Sequence, residues 1–257
     1  AYIRQTFNTP NLPGGSFDSN LSFAQSLTEA VKAVADAQVV ASLPQSRIEV
    51  GGEGGQQALD ILQNTFTRVK SSWRPASQEE SYEIVRRRLF DSINADMYPA
   101  RDAVVKAFSD LYRSNESEFP AVCKEHDYYR QLELAYPIHP ELFERLYTDW
   151  SSLDEFQRTR GVLRLMAATI HSLWEDNDKS LMIMPAMIPM DDQVVQGELT
   201  TKSGLSPAWS SVIEKDIDGP AALPRQLDGD NPNLGRFSAC RRVARTIYIG
   251  SAPTTET

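Results

Sequence analysis

Apolar residues recur at helical spacing along most of the chain, and a few short segments break that rhythm. Residues 6–20 hold two Pro and two Gly among Ser and Asn and read as a loop. Leu21 to Ala35 predicts a helix with Phe23, Leu27 and Ala30 or Val31 on one face. Gln38 to Leu43 is nearly continuous in apolar character and stops at Pro44, the pattern of a strand buried in a parallel sheet. Gly51 to Gly55 reads as a flexible connector, and Ala58, Leu62, Phe66 and Val69 place a helix behind it. Pro75 breaks the chain. Ser77 and Glu80 then form a capping-box pair, opening a helix to about Ile93 with Tyr82, Val85, Leu89 and Ile93 facing a core.

From there to residue 176 the pattern is helical throughout. Tyr98-Pro99 starts a helix to about Arg113, and Pro140 stands where a first helical residue belongs. Leu153 to Trp174 predicts the longest helix, with Phe156, Leu163, Met166, Ile170, Leu173 and Trp174 as its apolar stripe. Arg160, Arg164 and His171 run along the border of that stripe. Beyond residue 177, Leu181 to Pro185 fits a strand, and Asp191–Leu199, Pro207–Lys215 and Phe237–Tyr248 fit short helices. Asp216 to Gly235 reads as a long loop. The pattern therefore predicts a mainly α chain in three parts: a short α/β segment (1–75), a helical block (76–178), and a smaller α or α+β region (179–257).

Composition narrows the function classes. The 257 residues are 41% hydrophobic and 24% charged, with a net charge of −9. An acidic chain does not present a broad nucleic-acid face, which needs clustered Lys and Arg. Arg86 to Arg88, and Arg241, Arg242 and Arg245 on one predicted helix, are local basic clusters. The plain reading of the first is a solvent-facing run or one that binds neighbouring acids, and of the second a surface cluster. The two cysteines, Cys123 and Cys240, lie far apart without a CxxC, so neither a zinc site nor a disulfide framework is predicted. A reduced, cytoplasmic setting follows. The most apolar run, Leu181 to Met190, is far short of the roughly 20 residues a membrane span needs, so no membrane partner is expected. His126 and His139 have plain structural readings, as does a core role for Trp73, Trp150, Trp174 and Trp209. Met182, Met184, Met187 and Met190 fit core gaps.

A phosphate-binding loop of the form GxxxxGK[ST] is absent, because Gly51 to Gly55 has no following Lys. The stretch Arg68-Val69, Trp73, Pro75, Glu80, Ile84-Val85 and Arg88-Leu89 resembles AAA+ ATPases: a helix ending in Arg, a short apolar strand, a Pro and a capped helix. The resemblance implies that the chain carries the C-terminal remnant of an α/β AAA+ core, with Val39 to Ser42 as its sensor-1 strand, followed by a helical lid. It also implies Ser42 as the sensor-1 residue and Arg68 as the arginine finger. A guanidinium on the γ-phosphate stabilises transition-state charge and raises the rate by ~10³–10⁵. Arg164, with Arg160 as the alternate, is implied as the sensor-2 arginine that the lid aims at the nucleotide. Arg160 and Arg164 are four residues apart, so the competing reading is a shared acidic partner.

Tyr136-Pro-Ile-His-Pro-Glu-Leu142, the run Phe156-Gln-Arg-Thr-Arg-Gly161, Asp216-Ile-Asp-Gly-Pro220 and the closing Arg241-Arg-Val-Ala-Arg-Thr-Ile247 narrow the resemblance. They resemble a bacterial family of large predicted ATPases, known only as a domain of unknown function and often encoded in phage-resistance gene clusters. In that family the Walker A and Walker B elements precede the part matching Ala1. The chain therefore reads as a piece of a longer protein whose N-terminal nucleotide-binding half supplies ATP and Mg²⁺. Alone it is expected to be inactive. It carries no metal site of its own in this reading, and homo-oligomers are allowed. The alternative is a non-enzymatic helical interaction module, contacting nucleic acid through residues 179–257.

Overall fold

A computed structural model describes residues 7, 13–43, 52–67, 78–157 and 159–256. The chain divides into two compact units, Ala1–Pro75 and Ala76–Thr257.

In the first unit, α1 (Phe17–Ala33) starts at Ser16, whose hydroxyl accepts the Ser19 amide. Asp18 in the first turn and Lys32 in the last suit the helix dipole. The buried face carries Phe17, Leu21 and Thr28, so Phe23 and Leu27, predicted to face a core, are exposed. Phe17 anchors the face by an edge-on contact to Phe7, 5.1 Å between ring centroids. The second helix, α2 (Gly52–Thr67), begins within the glycine run that the sequence presents as a loop. Gly54 explains that composition, since a Cβ there would stand 2.4 Å from the Phe7 ring.

The expected strand at Gln38–Leu43 does not form a ladder among the described residues, and Val40 is 83% exposed. Its valines carry strand propensity, but a parallel strand is stable only when neighbours pair on it. Ser77, the predicted cap, and Trp73 lie outside the described residues.

The described residues of the second unit are mainly helical. It contains α3 (Gln78–Leu89), α4 (Tyr98–Ser114), α5 (His126–Ala135), α6 (Pro140–Glu144), α7 (Thr159–Glu175) and α8 (Gln193–Leu199). These are followed by α9 (Ala208–Val212), α10 (Leu223–Asp230), α11 (Pro232–Gly235) and α12 (Ala239–Ser251). The expected strand near Leu181 is one isolated parallel bridge between Ile138 and Ile183. The loop expected at 216–235 contains α10 and α11. Pro224 sits in the first turn of α10, where its missing N–H costs nothing, and Asn231 caps α11.

Residues 76–178 and 179–257 share one core. Trp150 is fully buried and donates its indole N–H to the Ile249 carbonyl of α12 at 2.9 Å. Phe156, Val162, Leu165 and Met166 pack with Ile188, Met190, Val195 and Tyr248. Tyr82 and Phe143 stack at 4.5 Å. A second cluster gathers Val105, Tyr112, Cys123, Tyr128, Leu132 and Met182. There His139 caps α6 through Nδ1 and meets the Tyr112 hydroxyl through Nε2 at 2.8 Å.

The long helix differs from its sequence reading. A turn of 3₁₀ helix, Asp154–Phe156, comes first, and Gln157 takes a left-handed conformation at φ 62°. Only then does α7 begin, and its buried face is Gly161, Val162, Leu165, Met166, Thr169 and Ser172. The polar Thr169 and Ser172 on this face disguised its phase. Trp174, predicted to be core, is 84% exposed.

Candidate functional site: an aspartate–arginine node

The four sequence runs quoted above fold into joints of the second unit. In the run Gln157 to Gly161, Gln157 reverses the chain and its carbonyl accepts the Arg160 amide at 3.2 Å. Gly161 permits a contact no side chain would survive, because a Cβ there would lie 1.9 Å from the Phe156 carbonyl oxygen. In the run Asp216 to Pro220, the π turn Ile213–Ile217 ends with the Asp218 and Gly219 amides both donating to the Ile213 carbonyl. A Cβ on Gly219 would lie 1.9 Å from the Glu214 oxygen. Each glycine is thus fixed by close backbone approach.

Asp218 is the centre of a dense charge cluster among the described residues. It is fully buried and accepts Arg241 Nε at 2.7 Å and Arg245 Nε at 2.7 Å. The Asp191 amide adds a bond at 3.2 Å. Asp191, half-exposed before α8, accepts Arg225 Nη2 at 2.7 Å, Arg241 Nη2 at 3.1 Å and Arg245 Nη2 at 3.3 Å. Arg241 and Arg245 are one turn apart on α12, so both bridge the same two carboxylates. Asp228 completes the joint, receiving the Cys240 and Arg241 amides at 2.9 and 3.2 Å and so capping α12. Burial works to raise the Asp191 carboxyl, but the Arg245 charge, the Arg225 hydrogen bond and the Arg241 charge outweigh it and hold it below its ordinary value.

This arrangement redirects the basic cluster read from the sequence. Arg241 and Arg245 spend their charge inside the fold, with side chains only 20% and 12% exposed. Phosphate contact needs free guanidinium N–H groups, and these two are largely committed. Arg242, the third member, lines a neighbouring cleft and pairs with no carboxylate among the described residues.

The nucleotide candidates divide between the two units. Ser42 is exposed on an unpaired segment rather than at the end of a buried strand. Arg68 lies outside the described residues. Arg164 is bound by Glu198, its Nε 3.0 Å from Oε2, and its Nη1 reaches the Gln157 side chain at 3.4 Å. Glu198 is buried and also holds Lys202 at 2.6 Å. Arg160 is exposed on the first turn of α7 and pairs with no carboxylate among the described residues. Of the two arginines on the border stripe, Arg164 is ion-paired and Arg160 meets no carboxylate among the described residues.

Sequence reasoning did not find Asp191, Arg225, Asp228 or Glu198. The partners that join them to other elements lie up to 54 positions away, so local spacing does not mark the node. Asp218 was visible only as part of a motif run. Among the described residues, no group of His, Cys, Asp and Glu is arranged to hold a metal, and no helix is long and apolar enough to cross a membrane.

Residues 76–256 match the family described as the DUF499 second domain. The chain belongs to that family. The matched span begins where the second compact unit begins, and it takes in every joint described above. Neither the curated proteins nor the solved structures compared with the chain gave a match. This DUF499 second domain is therefore a helical unit whose motif runs form structural joints.

Proposed function

We propose that the DUF499 second domain is the helical, lid-like part of a nucleotide-driven AAA+-type ATPase. In this reading the chain does not hydrolyse ATP by itself. The observation that carries the proposal is the division of labour on α7: Arg164 is fixed by Glu198, while Arg160, one turn earlier, is exposed and meets no carboxylate among the described residues. The exposed residue is therefore the phosphate contact, and Arg164 positions the helix. A guanidinium on the first turn of a helix adds to the favourable field of the helix N-terminus, which suits an anionic phosphate.

ATP and Mg²⁺ are supplied by a P-loop segment outside the 257 residues, and closure of the helical unit over the nucleotide couples hydrolysis to a partner. The cytoplasm, and phage resistance within it, is the proposed setting. The DNA upstream of the Ala1 codon tests this. A continuous frame carrying GxxxxGK[ST] and a strand ending in acidic residues is expected. A start codon at this position without them would refute the reading.

A second reading has its own supporting observation. Trp174 is 84% exposed, and Val243 and Ile247 are exposed one turn apart on α12. Large apolar groups left in water mark protein–protein contacts, so a helical interaction module remains the alternative. A pull-down in which Trp174→Ser loses a partner that Arg160→Gln retains would favour it.

A further inference from the structure

The long helix α7 is apolar on two sides. Its inner face packs into the core, and its outward face carries Arg160, Leu163, Ala167, Ile170 and Trp174. These follow one another at alternating steps of three and four residues, the spacing of a coiled-coil seam. Arg160, Ala167 and Trp174 are exposed, Trp174 to 84%, and Leu163 and Ile170 are partly so. A surface helix ordinarily turns charged and polar residues outward, so an apolar seam left in water at this spacing fits a second helix laid along it.

The charges of α7 decide which helix fits. Arg160 stands in its first turn and Glu175 in its last, with Asp176 and Asp178 just beyond. No acid in the first turn and no base in the last offsets them. Each charge therefore sits at the unfavourable end of the helix's own dipole. An antiparallel neighbour of the same sequence reverses this, because it brings a basic helix start beside an acidic helix end, twice. Ala167 lies midway, seven positions from both Arg160 and Trp174. A two-fold axis at Ala167 sets the Arg160 guanidinium against the ring of the partner's Trp174, a cation–π contact that the symmetry repeats. The small Ala167 lets the two helices approach closely at the axis.

We infer that this chain forms a two-fold dimer by antiparallel pairing of α7 with α7 of a second copy, with the axis at Ala167. One helix pair is smaller than the standard interface of about 1,600 Å², which puts the dissociation constant in the micromolar range. Pairing covers Arg160, so a paired copy does not offer that residue to phosphate.

Sedimentation equilibrium of the 257-residue chain, without nucleotide and across micromolar concentrations, tests the inference. A monomer–dimer equilibrium is expected, weakened at least about tenfold in Trp174→Ala and about fivefold or more in Arg160→Gln, with thermal midpoints showing both variants folded. Under mild oxidation Ala167→Cys is expected to form a disulfide-linked dimer, because the axis brings the two Cβ atoms within disulfide reach. Thr246→Cys, exposed on α12, is expected to stay unlinked. A monomer at every concentration, unchanged affinity in both folded variants, or cross-linking of Ala167→Cys no faster than of Thr246→Cys would overturn it. Any of these results leaves the contact of Arg160 with phosphate standing, since that contact is read by hydrolysis in the complete protein.

Discussion

Replacing Asp218 by Asn keeps the shape of the side chain and removes its charge. In the native structure two carboxylates, Asp191 and Asp218, face three guanidiniums, those of Arg225, Arg241 and Arg245. The substitution leaves one carboxylate against three cations. It also turns one oxygen that accepts an arginine into an NH₂ that opposes it. Two charge-assisted bonds at 2.7 Å are weakened, each worth about 1.5–3 kcal/mol. Breaking a buried ion cluster from one side costs about 3–5 kcal/mol. Arg241 and Arg245 retain some contact with water and with Asp191, so we expect a loss of about 3–4 kcal/mol.

Urea unfolding of the 257-residue chain, followed by near-ultraviolet circular dichroism, measures it. The midpoint should fall while the slope stays unchanged. Adding Arg241→Met and Arg245→Met to the Asn variant should recover a large part of the loss, because the stranded cations are then gone. A loss under about 1 kcal/mol in the single variant would show that the node is solvated and weak, and would refute the reasoning.

Acid should weaken the second unit through His139. Burial lowers its pKa from 6.5 to about 4, so the folded state holds it neutral. Its contribution is complete above pH 6.5 and is lost as pH falls towards 4, about 3 kcal/mol in all; His139→Gln should flatten the thermal midpoint over that range. Gly161→Ala, which ordinarily favours a helix by about 1 kcal/mol, should instead destabilise by more than about 2 kcal/mol, because the Phe156 carbonyl occupies the Cβ position. Chemical denaturation reads that sign directly. Arg164→Ala should cost about 2–3 kcal/mol by leaving the buried Glu198 with Lys202 alone, whereas Arg160→Ala should change stability by less than about 0.5 kcal/mol.

The helical character was legible because it rests on local pattern. Tyr82 and Val85 face the core as their spacing predicts, and Pro140 opens α6. The phases of α1 and α7 were not, because Thr28, Thr169 and Ser172 are buried while Phe23, Leu27 and Trp174 are exposed. Period-based reading ranks residues by polarity alone. It cannot see that small hydroxyl residues allow close helix packing, nor that a helix end leaves an aromatic unmatched. The region 216–235 looked like a loop because Asp, Pro and Gly dominate it. Yet Pro224 and Pro232 serve as helix starts, and Asp228 caps α12.

The candidate node was legible in its motif runs and illegible in its pairing. Asp216–Pro220 and Arg241–Ile247 were singled out separately, but their joining through Asp191 and Asp218 is a property of the tertiary fold. Arg160 and Arg164 show the same limit. Their spacing marks a shared border, but only the position of Glu198, on a helix 34 residues away, decides which of them is committed.

In the proposed function Arg160 contacts nucleotide phosphate and Arg164 holds the helix. ATP hydrolysis by the product of the complete reading frame that encodes this chain tests it most directly, with Arg160→Gln compared against wild type. We expect hydrolysis by the complete product, none by the 257-residue chain, and a drop of at least about tenfold in Arg160→Gln at unchanged thermal stability. Undiminished hydrolysis in folded Arg160→Gln, or hydrolysis by the 257-residue chain itself, would contradict it.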